Sequence, residues 1–438
     1  MHDKAHRSGG TSKSGFAARK GAVALLNGVL KDHMQLSDLT RADGPLMALV
    51  SDDKARAQRL ALTTLRHLGR ADALLATYVE KLPPMQVLNV LRLAVTELLV
   101  EGEAAHGVVD VSVSLIRAQR QSRKMAGMAN AVLRRIAAEG HDAWKSLPVP
   151  SLPGWLRRRI VHIYDEATVQ QIEAAHLKGA PLDLTPKIAT QAGEIAEALG
   201  GKVMPTGSIR LTQSGQVSAL LGYDSGDWWV QDAGAAVAVT LLDPQPGEQI
   251  LDLCAAPGGK TMQLAASGAQ VTALDISGPR MGRIKENLTR TGLEATCVVA
   301  DALHWDAPHS FDAILLDAPC SATGTIRRHP DLPFAKNGKE LHALFELQAA
   351  MIDRAVALLK PGGRLVFCTC SLLTEEGERQ AKTAIERHGL EEVKPDFAQL
   401  GVPQDWAREA GGLRLRPDYW AECGGIDGFF MISLRKPG

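Results

Sequence analysis

Residues 249–261, QILDLCAAPGGKT, decide the fold. Gln249–Leu253 is a short apolar run that reads as a buried strand, and the stretch that follows reads as a tight loop opening a helix. Within the loop, Gly258-Gly259 lets the backbone turn sharply and approach a ligand closely. The loop lacks the G-x-G-x-x-G spacing of a dinucleotide site and the G-x-x-x-x-G-K spacing of a P-loop. Taken alone, the glycine pair fits a plain turn with capping aspartates equally well.

The flanking sequence extends the pattern. Strands are expected at 249–255, 271–276, 296–300, 311–317 and 364–369, with helices at 279–290 and 339–359 between them and a last strand at 428–434. Apolar strands alternating with helices predict a parallel, doubly wound α/β sheet covered on both faces. Such sheets bind ligands at the carboxyl ends of their strands. Asp275 ends the second strand, Asp301 the third and Asp317 the fourth. A carboxylate at Asp275 suits a ribose diol and one at Asp301 is placed to meet a base, so the recurrence fits a nucleoside ligand.

The fourth strand runs into Asp317-Ala318-Pro319-Cys320-Ser321 and the fifth into Cys368-Thr369-Cys370-Ser371. Both end at the edge that carries the loop, so two thiols would meet near a bound methyl donor. Carbon 5 of cytosine is a poor nucleophile. A thiolate adding at carbon 6 makes carbon 5 enamine-like, after which a second group assists release of the adduct. Asp317 could hydrogen-bond the base edge and steady developing charge, and the target base must be unstacked. Spacing leaves open which cysteine attacks, and a buried cysteine is most often only a small hydrophobe. Cys368 and Cys370 are expected to face opposite sides of their strand. The six cysteines, at 254, 297, 320, 368, 370 and 423, include no C-x-x-C pair, so no metal site is expected.

Residues 16–146 read as an all-helical domain, with breaks at Asp43-Gly44-Pro45, Pro83-Pro84 and Glu101-Gly102. The chain has formal net charge zero, yet residues 1–150 hold 21 Lys/Arg against 14 Asp/Glu, leaving the remainder acidic. A basic module joined to an acidic one suggests a polyanion partner. Arg117, Arg120, Arg123, Lys124, Arg134 and Arg135 cluster within a stretch free of acidic residues. They read either as a solvated face or as phosphate contacts for RNA. Proline-rich residues 147–153 open a small α+β linker domain extending to 240, and the catalytic domain is expected over 241–438.

The 438 residues are 45% hydrophobic and 22% charged, as in ordinary soluble proteins. No stretch approaches the roughly 20 uncharged apolar residues of a membrane span. The polar, Gly/Ser-rich residues 1–15 read as a disordered tail without a signal core. A monomeric cytoplasmic protein with reduced thiols is therefore expected, with no membrane and no metal among its partners.

DLCAAPGGKT, FDAILLDAPCSATG, IRRHPDL and CTCS, in this order, resemble the Sun/Nop2-type RNA cytosine-5 methyltransferases, and GMANAVLRRI resembles the NusB-like RNA-binding fold. The resemblance covers about residues 16–436 and is strongest over 247–372. It implies a multidomain protein: an N-terminal all-α NusB-like RNA-binding domain, the α+β linker, and a C-terminal α/β Rossmann-like methyltransferase using S-adenosyl-L-methionine. Its substrate would be cytosine in small-subunit (16S) rRNA. Carried over by motif, Cys254, Ala255, Ala256, Pro257, Gly258, Gly259 and Lys260 would wrap the methionine part of the cofactor. Asp275 would hold the ribose and Asp301 the adenine, with Arg280 in the same set, and Asp317 would lie between cofactor and base. The resemblance makes Cys370 the nucleophile and gives Cys320 the release of the methylated base.

Two positions depart from the family pattern. After the nucleophile the family shows a Pro-Glu-Glu-Asn-like run, whereas this chain reads Thr374-Glu375-Glu376-Gly377. A family Leu-Arg-Val-Asn becomes Leu184-Thr185-Pro186-Lys187, so an arginine contact to RNA is missing or moved. Gln231-Asp232 matches a family feature. Two other functions compete: methylation of another RNA such as tRNA, and a non-catalytic NusB-like binding factor. Retention of both cysteines and the three strand-end aspartates speaks against the second.

Overall fold

The computed structural model describes residues 11–212 and 215–438. The expected tail lies partly outside them, at residues 1–10, while a helix already runs from Thr11 to Leu30. The chain forms two compact units. The first holds the residues up to Arg158 together with Val169–Leu177 and Arg328–Asn337. The second holds Arg159–Thr168, Lys178–Arg327 and Gly338–Gly438.

The first unit is a helical bundle built round Met85–Leu99, which touches the helices Thr11–Leu30, Ser51–Arg66, Leu68–Tyr78, Ala105–Ala118 and Ala126–Ser146. Residues Val87 to Leu98 are all buried, the polar Asn89, Arg92, Thr96 and Glu97 along with the apolar ones, because the helix runs through the centre of the bundle. Its polar members are paired: Glu97 binds Arg19 at 2.8 Å, and Arg92 donates to both oxygens of Asp72 at 2.7 Å.

The second unit carries two sheets. A small antiparallel one has the order 202–203, 209–211, 182–186, 228–230. Buried Asp183 receives both 2.7 Å hydrogen bonds of Arg210 and also the Ala233 N–H at 3.1 Å. Arg210 donates further to the carbonyls of Cys423 and Gly425. These bonds tie the small sheet to other residues of the second unit, which holds Lys178–Arg327. The boundary expected at 240 falls inside a helix, Ala233–Leu242, whose Val237 and Leu242 are core.

The large sheet contains β1 (Gln249–Leu253), β2 (Gln270–Asp275), β3 (Thr296–Val299), β4 (Phe311–Asp317), β5 (Leu359–Thr369), β6 (Glu391–Glu392), β7 (Leu413–Leu415) and β8 (Phe429–Arg435). Its order is β6-β8-β5-β4-β1-β2-β3, with β7 also on β8. The pairs among β1 to β5 are parallel, as the alternation requires, while β8 runs antiparallel to β5. Leu251, Leu253, Leu316 and Phe367 pack on one face, and Ile250, Leu315, Val366 and Cys368 on the other. From β1 the chain winds outward through β2 and β3 and then returns to β4 on the other side of β1, and this reversal of winding makes the carboxyl ends of the two parallel strands the switch point where ligands bind. Among the described residues no helix is long and apolar enough to cross a membrane.

Candidate active site

The loop after β1 is held open from three sides. Cys254 has φ 63° and Gly258 φ 103°, and a Cβ at Gly258 would come within 3.0 Å of Ile284. Asp275, at the end of β2, accepts the N–H groups of Ala256 and Ser277 at 3.1 and 2.9 Å. Arg280 donates to the Ala256 carbonyl and lies 3.6 Å from Asp275. Ser277 and Pro279 start the helix Gly278–Thr291 that brings Arg280 there, as a capping residue and an N-terminal proline should.

A cavity of about 180 Å³ adjoins this loop. Its walls include Cys254 to Pro257, Gly259, Lys260, Asp252, Asp317, Gln231 and Asp232. Gln231 is fastened by Thr185 and Trp229, and it leaves only 3.4 Å for a Cβ at Gly259. Asp232 caps the helix Ala233–Leu242. Asp252 is wholly buried; its Oδ2 accepts the Thr261 hydroxyl at 2.6 Å, and its Oδ1 has no partner among the described residues. A cavity narrowed at Gly259, with the orphaned Asp252 oxygen on its wall, fits a ligand that brings hydroxyl or amine donors to it. Asp275 and Asp301 are not part of this wall. Asp275 spends one oxygen on the loop at Ala256 and the other on Ser277 in its own turn, and Asp301 accepts Leu303 N–H and the His304 ring in its own turn. The His304 bond, with the Leu303 N–H, holds the exposed Asp301 carboxyl below its usual range.

Burial pushes the Asp252 carboxyl up to about 7, against the Thr261 hydrogen bond. A folded form that keeps its proton while the unfolded chain loses it, near the ordinary carboxylate pKa of about 4, loses stability as pH rises from about 4 to about 7 and levels off above. Asp252→Asn should therefore flatten the fall of the melting temperature across that range. An unchanged slope would show that Asp252 ionises in the fold without penalty.

The two cysteines meet. Cys320 Sγ and Cys370 Sγ are 3.4 Å apart, at the ends of neighbouring β4 and β5. The Cys370 hydrogen bond, then burial, raises the Cys320 thiol well above its usual pKa. Asp317 binds Lys260 at 2.7 Å and accepts the Cys368 thiol at 3.7 Å. Burial opposes the charge on Lys260, but Asp317 and the sulfurs of Cys368 and Cys370 outweigh it and hold the ammonium more firmly charged than usual. Lys260 thus lies on the cavity wall, paired with Asp317. Cys368 and Cys370 pack against one cluster, not opposite faces: side chains two apart on a strand share a side.

Gly377 is filled space. A Cβ there would lie 2.6 Å from Phe430 and 2.7 Å from the guanidinium of Arg414, which is buried against Glu378 and the Ser371 carbonyl. Gly377→Asn should cost about 1–3 kcal/mol through overpacking, read as a lower urea midpoint. A midpoint like that of the parent would mean that Phe430 and Arg414 yield freely. Lys187, where the family has asparagine, donates to the Thr291 carbonyl at 2.5 Å and holds a helix end.

Sequence reasoning missed the groups that brace the thiols. Glu376 is fully buried, and it accepts the Ser321 N–H at 2.8 Å and the Ser371 hydroxyl at 2.5 Å. Two adjacent glutamates just past Cys370 were the available signal. Within the first unit, Arg117, Arg120, Arg123, Lys124, Arg134 and Arg135 are all exposed. Arg123 reaches the Arg117 carbonyl, and Arg135 pairs with Glu139. Among the described residues no group of three His, Cys, Asp or Glu side chains could hold a metal.

A family model described as 16S rRNA methyltransferase RsmB/F matches residues 239–435, and the NusB family matches residues 17–138. Ribosomal RNA small subunit methyltransferase B of Xanthomonas campestris pv. campestris is 33% identical over 97% of this chain and 98% of its own. The protein of that name from Shigella sonnei is 34% identical over 90% of this chain and 93% of its own. The crystal structure of PH0851 shares the fold at a TM-score of 0.71, covering 95% of this chain and 99% of its own at 23% identity. A NusB-type helical bundle followed by a methyltransferase sheet, matched nearly end to end, places the chain in the 16S rRNA methyltransferase RsmB/F family of S-adenosyl-L-methionine-dependent enzymes.

Proposed function

We propose that the chain methylates carbon 5 of a cytosine in 16S rRNA through a covalent adduct on Cys370. The observation that carries this reading is the pair of thiols 3.4 Å apart, one of them, Cys320, three residues past Asp317, the carboxylate that shares a cavity with the cofactor loop. Nitrogen or oxygen methylation needs no thiol adduct and would leave that pair without a use.

Each residue has its own part in this chemistry. Cys254 to Lys260 would hold the donor, with Asp275 and Arg280 fixing the loop and Asp317 on the cavity wall; Asp301 is the candidate for the adenine side. When bound, S-adenosyl-L-methionine supplies the electrophilic methyl group that carbon 5 takes. Cys370 attacks carbon 6, a carbon–sulfur bond forms, and the electron pair of the 5,6 double bond becomes available at carbon 5. Lys260 supplies positive charge where the sulfur must act as an anion and where charge develops on the base. After methylation a base takes the carbon 5 proton, the carbon–sulfur bond breaks and the double bond re-forms. Cys320 assists that release.

The test is transfer of labelled methyl to unmodified 16S rRNA, with 5-methylcytosine mapped. One modified cytosine is expected. Transfer to tRNA alone would discard the substrate, and no transfer to any nucleic acid despite cofactor binding would discard the reaction.

The exposed basic cluster of the helical unit is the proposed RNA contact. Arg123→Ala with Lys124→Ala should weaken RNA binding and reduce the log–log salt slope by about 1 for each phosphate that is no longer neutralised. An unchanged slope would assign those two charges to solvent.

A further inference from the structure

Glu376 brackets both cysteines. Its Oε1 accepts the Ser321 N–H at 2.8 Å and the Gln348 amide at 3.1 Å. Its Oε2 accepts the Ser371 hydroxyl at 2.5 Å and also the Ser321 hydroxyl. The same Gln348 amide donates to the Pro319 carbonyl at 2.9 Å, and the Glu376 carbonyl accepts the Thr369 hydroxyl at 2.9 Å. Pro319 and Ser321 flank Cys320, and Thr369 and Ser371 flank Cys370. One residue, directly or through Gln348, therefore grips both neighbours of both thiols.

Such a brace has a physical purpose. The ladder joining β4 to β5 ends at Asp317 opposite Cys368. Beyond it the two chains separate into turns, joined by backbone bonds from Ala318 to Cys368 and from Gly324 to Cys370. Sheet pairing stops just short of where the sulfurs must be placed. We propose that Glu376 is a positioning residue that sets the separation of Cys320 and Cys370. This rests on the two-cysteine reading above. Glu376 is fully buried and acts through the two turns rather than on the base.

Length decides more than charge here. The Ser321 N–H and the Gln348 NH₂, which also serves the Pro319 carbonyl, can only donate, whereas serine hydroxyls can reverse and accept. Glu376→Gln can keep its carbonyl oxygen toward the first two and offer its NH₂ to the hydroxyls. Glu376→Asp keeps the carboxylate but is shorter by one carbon–carbon bond, about 1.5 Å, and cannot reach both turns.

Diamide oxidation of the full chain reads the separation without any methyl transfer. The reagent takes two electrons and two protons as the Cys320–Cys370 disulfide forms, and peptide mapping counts the product. The parent and Glu376→Gln should cross-link at comparable rates. Glu376→Asp should cross-link at least about 10-fold more slowly and lose about 100-fold in kcat, the scale of a 1 Å misplacement, with KM for RNA and affinity for S-adenosylhomocysteine within about twofold. Retained cofactor affinity reports folding, and Ser321→Ala with Ser371→Ala is the second variant should Glu376→Asp not fold. Parent-like cross-linking and kcat in the aspartate variant, or equal damage in the glutamine variant, would overturn the proposal. Because cross-linking needs no substrate, a failed methyltransferase assay leaves this measurement standing, and the two readings fail separately.

Discussion

Cys370→Ala is expected to lower methyl transfer by about 10⁴-fold or more, the scale on which removing a covalent nucleophile acts, while S-adenosylmethionine binding is kept. The substitution removes a half-buried sulfur at the end of β5 and leaves the loop after β1, the Lys260–Asp317 pair and the Glu376 brace in place. Folding should therefore survive, and RNA binding, which needs no thiol, should be little changed. Single-turnover transfer with both substrates saturating checks this directly. Residual activity near that of the parent would remove Cys370 as the nucleophile and with it the adduct.

Cys320→Ala should have the second largest effect and a different appearance. Attack at carbon 6 and methylation proceed, but elimination is slowed, so enzyme accumulates bound to RNA through a carbon–sulfur bond. The adduct survives denaturation and appears as a retarded, labelled band on a denaturing gel. Multiple turnover should fall far more than the first turnover, and Cys320→Ala with Cys370→Ala should show no band. A band with Cys370→Ala alone would exchange the two roles. The burial and the Cys370 hydrogen bond that raise the Cys320 thiol keep it in the protonated form, which suits a partner in proton transfer better than an attacking anion.

The parallel sheet was legible because strands buried on both faces must be nearly continuous apolar runs, and the five runs before residue 370 form β1 to β5. The bundle was legible for a related reason, since its helices repeat apolar residues at helical spacing between glycine and proline breaks. The cofactor loop was recognisable from its glycines and strand-end aspartates. What each aspartate touches was not, because Asp275 turns inward to fasten the loop and Asp301 stays in its own turn.

By itself, the sequence determined the sheet, the bundle, the loop and the two cysteine-bearing turns, all set by local periodicity, turn chemistry and residue type. Only the tertiary structure decided that the thiols lie 3.4 Å apart and that Lys260 faces Asp317. It also decided that Glu376 grips both turns and that residues 178–240 fall in the second compact unit. Each of these joins residues far apart in the chain, and long-range pairs leave no periodic trace. Their partners are chosen by burial, where a polar group must find whatever donor or acceptor the packing brings to it.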